Sequence, residues 1–186
     1  MGGDSTEPAI GLLELGSIAV GYVVADAIAK KAPIRILRAQ TTSPGKFLLL
    51  YTGDVASVYE AFEVALEMGG EHVLDRVVIP NLDAQVGPAL NGISDVSAFD
   101  SLGIIETYSL PSAIAAADKA VKTAPVQLIE IRAPFGLGGK SFFTFTGGLE
   151  DMEAALEDAC EVIPAGMLCR TALIANPHED LNHFVF

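Results

Sequence analysis

This chain repeats itself, and the repeat limits its possible folds more than any other feature. Gly11-Leu12-Leu13-Glu14 returns as Gly103-Ile104-Ile105-Glu106. At the same offset Ser17 meets Ser109, Ala25-Asp26 meets Ala117-Asp118, Lys30 meets Lys122, and Ala32-Pro33 meets Ala124-Pro125. Past a loop the offset grows by two residues, so that Gly45-Lys46 meets Gly139-Lys140, Gly53 meets Gly147, and Ala61 meets Ala155. Further on, Ile79 meets Ile174 and Asn81 meets Asn176. The step in offset places a two-residue insertion in the loop before Lys140. Agreement at charged, Gly and Pro positions in one order marks a tandem duplication rather than shared composition.

Each copy reads as the same small unit. A short apolar run (Ala9 to Leu15; Leu102 to Thr107) predicts a strand. Ser17 and Ser109 then stand where a hydroxyl can accept from the free amides of a first helical turn, and Pro111 suits that turn because it needs no donor. Ala-rich helices follow to about Lys31 and Thr123, with Pro33 and Pro125 as stops. An alternating strand comes next, then a Gly/Pro loop and a second apolar strand (Phe47 to Tyr51; Phe142 to Phe145). A second helix (about Val55 to Met68; about Leu149 to Cys160) and a last strand (Val73 to Ile79; Met167 to Ala175) complete each copy. The order β-α-β-β-α-β is the ferredoxin-like arrangement, so the expected class is α+β with two tandem domains. Residues 1–8 read as a disordered leader, 9–98 as the first domain and 99–186 as the second, with the division in the polar stretch from Asn91 to Asp100.

Composition narrows the function classes. The 186 residues are 51% hydrophobic and 19% charged, with a net charge of −13. So acidic a chain, without Trp or basic–aromatic interleaving, is a poor ligand for a phosphate backbone, so no nucleic-acid partner is expected. Mean hydropathy of +0.43 is high, yet no apolar run is long enough to cross a bilayer. The reading is a cytoplasmic protein, with no membrane partner, that buries its surplus apolar surface against other subunits.

The motifs that could carry chemistry are few. Phe135-Gly136-Leu137-Gly138-Gly139-Lys140-Ser141 ends like a phosphate-binding loop, but position 134 is Pro where that motif needs Gly. The residues after Lys140 are also strand-like, whereas phosphate cradling needs a helix N-terminus there. Copy one has Thr42-Ser43-Pro44-Gly45-Lys46 at the same place. A paired loop that differs in length and chemistry reads as a tip exposed at a symmetry axis. Glu14 and Glu106 match across the copies; they could serve as an acid/base pair, but the favoured reading is a strand carboxylate bonded to nearby backbone. Asp26 and Asp118 are expected to face solvent or a subunit neighbour. His178 and His183 flank Glu179 and Asp180, but a five-residue spacing sets no two ligands on one face, so no metal site is expected. Cys160 and Cys169 read as buried thiols rather than a disulfide framework. No nucleophile stands beside a base, so no catalytic residues and no enzymatic activity are assigned.

Several segments resemble one known family. They are Gly11 through Ala19, Ala25-Asp26-Ala27-Ile28-Ala29-Lys30 and Ser43-Pro44-Gly45-Lys46-Phe47-Leu48, with echoes at Gly103 through Thr107, Ala116 through Lys122 and Pro177-His178-Glu179. Together these are similar to bacterial microcompartment shell proteins of the tandem-domain, trimer-forming class. The resemblance implies a homotrimer imitating a hexamer, a tile that packs with hexameric and pentameric shell proteins to enclose enzymes. It places Lys30 and Lys122 at the tile edge. It places Thr42, Ser43, Pro44 and Gly45, with Phe135, Gly136, Leu137, Gly138 and Gly139, around a central pore that passes metabolites. The most similar-looking members, from propanediol-utilising compartments, have Cys-Pro-Gly-Lys-Phe in the first loop, and those cysteines hold a pore iron–sulfur cluster. Here the position is Ser43, so no cofactor is expected; a cluster would follow only were position 43 a cysteine. Asn176 stands where many shell domains carry Arg. The alternative is a regulatory ferredoxin-like trimer that binds an anion at Gly136–Gly139.

Overall fold

The computed structural model describes residues 9–96 and 100–181. The expected leader, 1–8, lies outside the described residues. The chain divides into two compact units between Leu82 and Asp83.

In unit one, β1 (Ala9–Leu15), α1 (Ile18–Lys31), β2 (Arg35–Thr42), β3 (Lys46–Gly53), α2 (Val55–Gly69) and β4 (Val73–Ile79) follow in order. The strands form one antiparallel sheet, β2-β3-β1-β4. That order is the ferredoxin-like one, in which each helix returns the chain across one intervening strand. The two central strands carry the near-continuous apolar runs, and β1 is buried at every position. The edge strand β2 alternates exposed and half-buried residues, as its Arg35-Ile36 alternation implies. Ser17 caps α1, its hydroxyl accepting from the Val20 amide at 3.4 Å, and Asp54 caps α2 by accepting from the Ser57 amide at 2.9 Å. Val24 and Ile28 of α1 and Val58, Ala61 and Ala65 of α2 pack on Leu13, Leu15, Phe47 and Leu49, which makes the core.

Unit two repeats this plan with β5 (Ser101–Thr107), α4 (Leu110–Thr123), β6 (Gln127–Arg132), β7 (Ser141–Gly147), α5 (Leu149–Glu161) and β8 (Leu168–Ile174), in the order β6-β7-β5-β8. Ser109 caps α4 through the Ser112 amide at 3.2 Å, and Pro111 occupies its first turn. The second helix of this copy, α5, has Gly148 at its cap and no side-chain bond there.

One contact is repeated at the centre of both sheets. Gly11 of β1 faces Tyr51 of β3 in register, and Gly103 of β5 faces Phe145 of β7. A Cβ on Gly11 would stand 2.2 Å from the Tyr51 ring, and one on Gly103 would stand 2.5 Å from the Phe145 ring. Each glycine is therefore the space that an aromatic ring occupies. The two rings differ by one hydroxyl, and among the described residues that of Tyr51 has no hydrogen-bond partner. Burial pushes the Tyr51 phenol far above its ordinary value.

The segment joining the copies differs from the sequence expectation. A division at 98/99 assigns residues 83–96 to the first copy, but they pack with the second. They carry a short helix, α3 (Val86–Asn91), which the sequence reading did not foresee. The Asp83 amide donates to the Asp118 carboxylate at 2.8 Å. The Gln85 side chain accepts from the Leu128 amide at 3.0 Å and donates to the Val126 carbonyl at 3.3 Å. One amide side chain thus satisfies two backbone groups on the open flank of edge strand β6, where a further strand would otherwise pair.

Candidate functional site

The two copies differ most in the loop between their second and third strands. In unit one the loop is a tight turn at Ser43, Pro44 and Gly45, with a cis peptide before Pro44. The Gly45 amide donates to the Thr42 carbonyl at 2.9 Å, and Gly45 takes φ +91°, a conformation that favours glycine. Thr42 is buried at the end of β2, while Ser43 is half-buried and Pro44 and Gly45 are exposed. In unit two the loop is longer. The Phe135 amide donates to Ala133, the Lys140 amide donates to Leu137, and Gly136, Gly138 and Gly139 all have positive φ. Three such glycines let the chain turn repeatedly, and the turns lift Phe135 and Leu137 into solvent. Gly136 and Gly138 are exposed, whereas Gly139 is buried at the base. Lys140 leads directly into β7, so no helix N-terminus faces the glycines and the loop is not a phosphate cradle.

Both loops are anchored by the same ion pair. The Lys46 ammonium donates to the Glu14 carboxylate at 2.9 Å, and Lys140 donates to Glu106 at 2.8 Å. The sequence reading paired these carboxylates with backbone; the lysine following each loop is the partner it did not name. The alignment of Gly-Lys with Gly-Lys and Glu with Glu held the signal, but only strand register brings β1 beside the start of β3. The copies differ in setting: Glu14 is fully buried, whereas the Glu106 side chain is 33% exposed. Glu106 also accepts from the Cys169 thiol at 3.3 Å. The Lys140 bond, followed by that of Cys169, holds the Glu106 carboxyl below the usual glutamate range, and the Glu106 carboxylate in turn raises Lys140. Cys169 and Cys160 are half-buried rather than the buried thiols expected: β8 is an edge strand, and Cys160 lies on the last turn of α5.

The candidate edge lysines occupy matching places in the last turns of α1 and α4, where cations suit the helix dipole. Each pairs with the aspartate one turn earlier, Lys30 with Asp26 at 2.6 Å and Lys122 with Asp118 at 2.6 Å. Lys30 and Asp26 are exposed as expected. Asp118 is buried, contrary to the expectation of a solvent or subunit contact, because the Asp83 amide covers it. His178 lies beside Asp180 at 3.3 Å in an exposed position, and His183 falls outside the described residues. Among the described residues no three metal-ligating side chains converge. No described helix is long and apolar enough to cross a membrane.

Comparison with known proteins bears on what these paired units are. A family model for the BMC domain matches twice, at residues 9–82 and 101–177. A microcompartment shell protein, PduT of Citrobacter freundii, is 39% identical over 93% of this chain and 95% of its own length. The chain belongs to the BMC-domain family of bacterial microcompartment shell proteins. The two BMC domains correspond to the two units found in the structure. A crystal structure of a microcompartment protein from Desulfitobacterium hafniense superposes with a TM-score of 0.81 at 40% identity, covering 95% of this chain and 98% of that one. A fused, permuted hexameric shell protein of the RMM microcompartment superposes at 0.63 with 21% identity, over 84% of this chain and 81% of that one, a likeness of fold.

Proposed function

We propose that this chain is a structural tile of a bacterial microcompartment shell, in which three chains place six BMC domains around a pseudo-sixfold axis. The observation that carries this reading is the pattern of likeness between the units. Sheet order, the glycine–aromatic contact and the Glu–Lys anchor are shared, and the Asp-Lys pairs sit at matching helix ends, while the loops at 42–45 and 135–139 diverge. A threefold body imitating a sixfold one needs alike domains with alike outer edges but is free to vary around its axis. Lys30 and Lys122 then belong to tile edges that meet other shell proteins, and the two loops line a central pore for metabolites. The chain acts in the shell of a microcompartment in the bacterial cytoplasm, and its role is structural rather than enzymatic.

The pore reading also specifies chemistry. Residues 42–45 offer hydroxyls and backbone but no thiolate, and Cys160 and Cys169 belong to unit two, on α5 and β8. This donor set does not fit an iron–sulfur cluster, which thiolates hold. The first loop contributes a ring of Ser43 hydroxyls, and the second contributes Phe135 and Leu137.

Light scattering on the purified chain tests the assembly. A mass of three chains is expected, and a stable monomer at micromolar concentration refutes the tile. Lys30→Ala is expected to leave the trimer intact while weakening sheet formation with a hexameric shell partner in electron micrographs.

A further inference from the structure

The edge strands β2 and β6 hold equivalent positions but are covered unequally. Their registers match: Ile36 faces Tyr51 on β3, Leu128 faces Phe145 on β7, and an irregularity follows each. On β6, Val126, Leu128, Ile129 and Ile131 are all buried. Their counterparts on β2 are Ile34, Ile36, Leu37 and Ala39. The isoleucines there are half-buried, Ala39 is exposed, and Leu37 is 44% exposed where Ile129 is 5%. Both rows are apolar, so what differs is the cover.

The cover on β6 comes from the segment that follows β4. Val86 and Ala89 of α3 are buried, α3 packs against β6, and Gln85 bonds the Leu128 amide and the Val126 carbonyl. Among the described residues no side chain bonds the equivalent groups of β2, the Ile36 amide and the Ile34 carbonyl. An open edge of this kind is a template for another segment.

The repeat supplies a second such segment. Ile79 ends β4 as Ile174 ends β8, and Asn81 meets Asn176. At the same spacing Val86 meets Leu181 and Ala89 meets Phe184, so the two positions that seat α3 are apolar again. Charge matches as well. β2 has Arg35 and Arg38 where β6 has Gln127 and Glu130, and the segment after β8 has Glu179 and Asp180 where the one after β4 has Ala84 and Gln85. Glu179 and Asp180 are exposed within their own unit. Asp180 stands at the Gln85 position, and a carboxylate can accept from the Ile36 amide as the Gln85 side chain accepts from Leu128.

We propose that residues 177–186 of one chain cover the open flank of β2 in the next chain, with Leu181 and Phe184 against Ile36 and Leu37 and with Glu179 and Asp180 toward Arg35 and Arg38. The segment after unit one covers the unit that follows it along the chain. The segment after unit two covers the unit that follows it around the ring, a head-to-tail contact. This inference rests on the trimeric ring and adds a strap that fastens each chain to its neighbour.

Leu37→Cys reports the cover through the rate at which a maleimide labels it, with the parent chain as the background for Cys160 and Cys169. Light scattering gives the mass of the same sample. In a three-chain particle, labelling should quicken roughly tenfold when the chain is shortened to end at Asn176, since the flank is then open at all times. Phe184→Asp should act in the same direction, and it decides the matter if the shortened chain fails to fold. Leu37→Cys combined with Phe184→Cys and treated with a short bismaleimide should yield covalent dimers and trimers on a denaturing gel, beyond those of either single change. If shortening also breaks the ring, this linkage decides. A three-chain particle in which Leu37→Cys labels at one rate with and without residues 177–186 overturns the proposal and leaves the ring standing. Linkage only within one chain, seen as a monomer of altered mobility, overturns the assignment to a neighbour. A monomer mass overturns the ring and the strap together.

Discussion

Lys46→Met removes the ammonium from a carboxylate that has no exposure, whereas Lys140→Met does the same where water can replace it. The two copies thus contain one experiment and its control. Breaking a buried pair from one side costs about 3–5 kcal/mol, because the remaining charge stays in a medium that solvates it poorly. The Lys46 side chain is itself 18% exposed, which places the expected loss at the lower end, about 3 kcal/mol. With a urea slope of about 2 kcal/mol per molar, the midpoint of unit one should fall by about 1.5 M. The Lys140 change should move the midpoint of unit two far less, as exposed pairs contribute little. Urea unfolding followed by circular dichroism, at one fixed protein concentration so that assembly enters equally, reads both shifts. Adding Glu14→Gln to Lys46→Met replaces the buried charge with a neutral amide and should recover most of the loss, as a double-mutant cycle. Equal shifts from the two lysine changes, or no recovery in the double variant, would refute the claim that burial decides what the anchor contributes.

Four further outcomes follow from the same geometry. Gly103→Ala drives a methyl group into the Phe145 ring and Met152, and thermal melting should show a loss of about 1–3 kcal/mol. Tyr51→Phe removes a buried hydroxyl that lacks a partner and copies what unit two already has at Phe145, so it should stabilise unit one by about 1 kcal/mol. The folded Glu106 carboxyl lies below its ordinary value of 4.5. Its contribution is therefore complete above that pH and is lost as pH falls through the lower folded value, and Glu106→Gln should flatten the acid limb of a stability–pH curve. Ser43→Cys, reconstituted anaerobically with iron and sulfide, should acquire the broad visible absorption of a cluster where the parent chain does not; absorption in both, or in neither, would contradict the pore reading of this turn.

The duplication was legible in the sequence, and with it the class of fold. Local physics sufficed there: hydroxyl caps at Ser17 and Ser109, proline stops, and apolar periods that distinguish two central strands from an alternating edge. Each of these signals is a matter of near neighbours along the chain, and the helices ended where it implied. The loops at 42–45 and 135–139 could be singled out as well, because the two copies disagree there.

What the sequence alone could not decide depends on partners distant along the chain. Glu14 reaches Lys46, and Glu106 reaches Lys140, only because β1 and β5 are paired in register with β3 and β7. Asp118 looks like Asp26 in the alignment, yet the joining segment buries one and leaves the other in water. The sequence by itself determined that this protein is one unit used twice. The tertiary structure decided how the two copies differ, because burial and charge pairing are properties of position in space, and two nearly equal sequences need not share them.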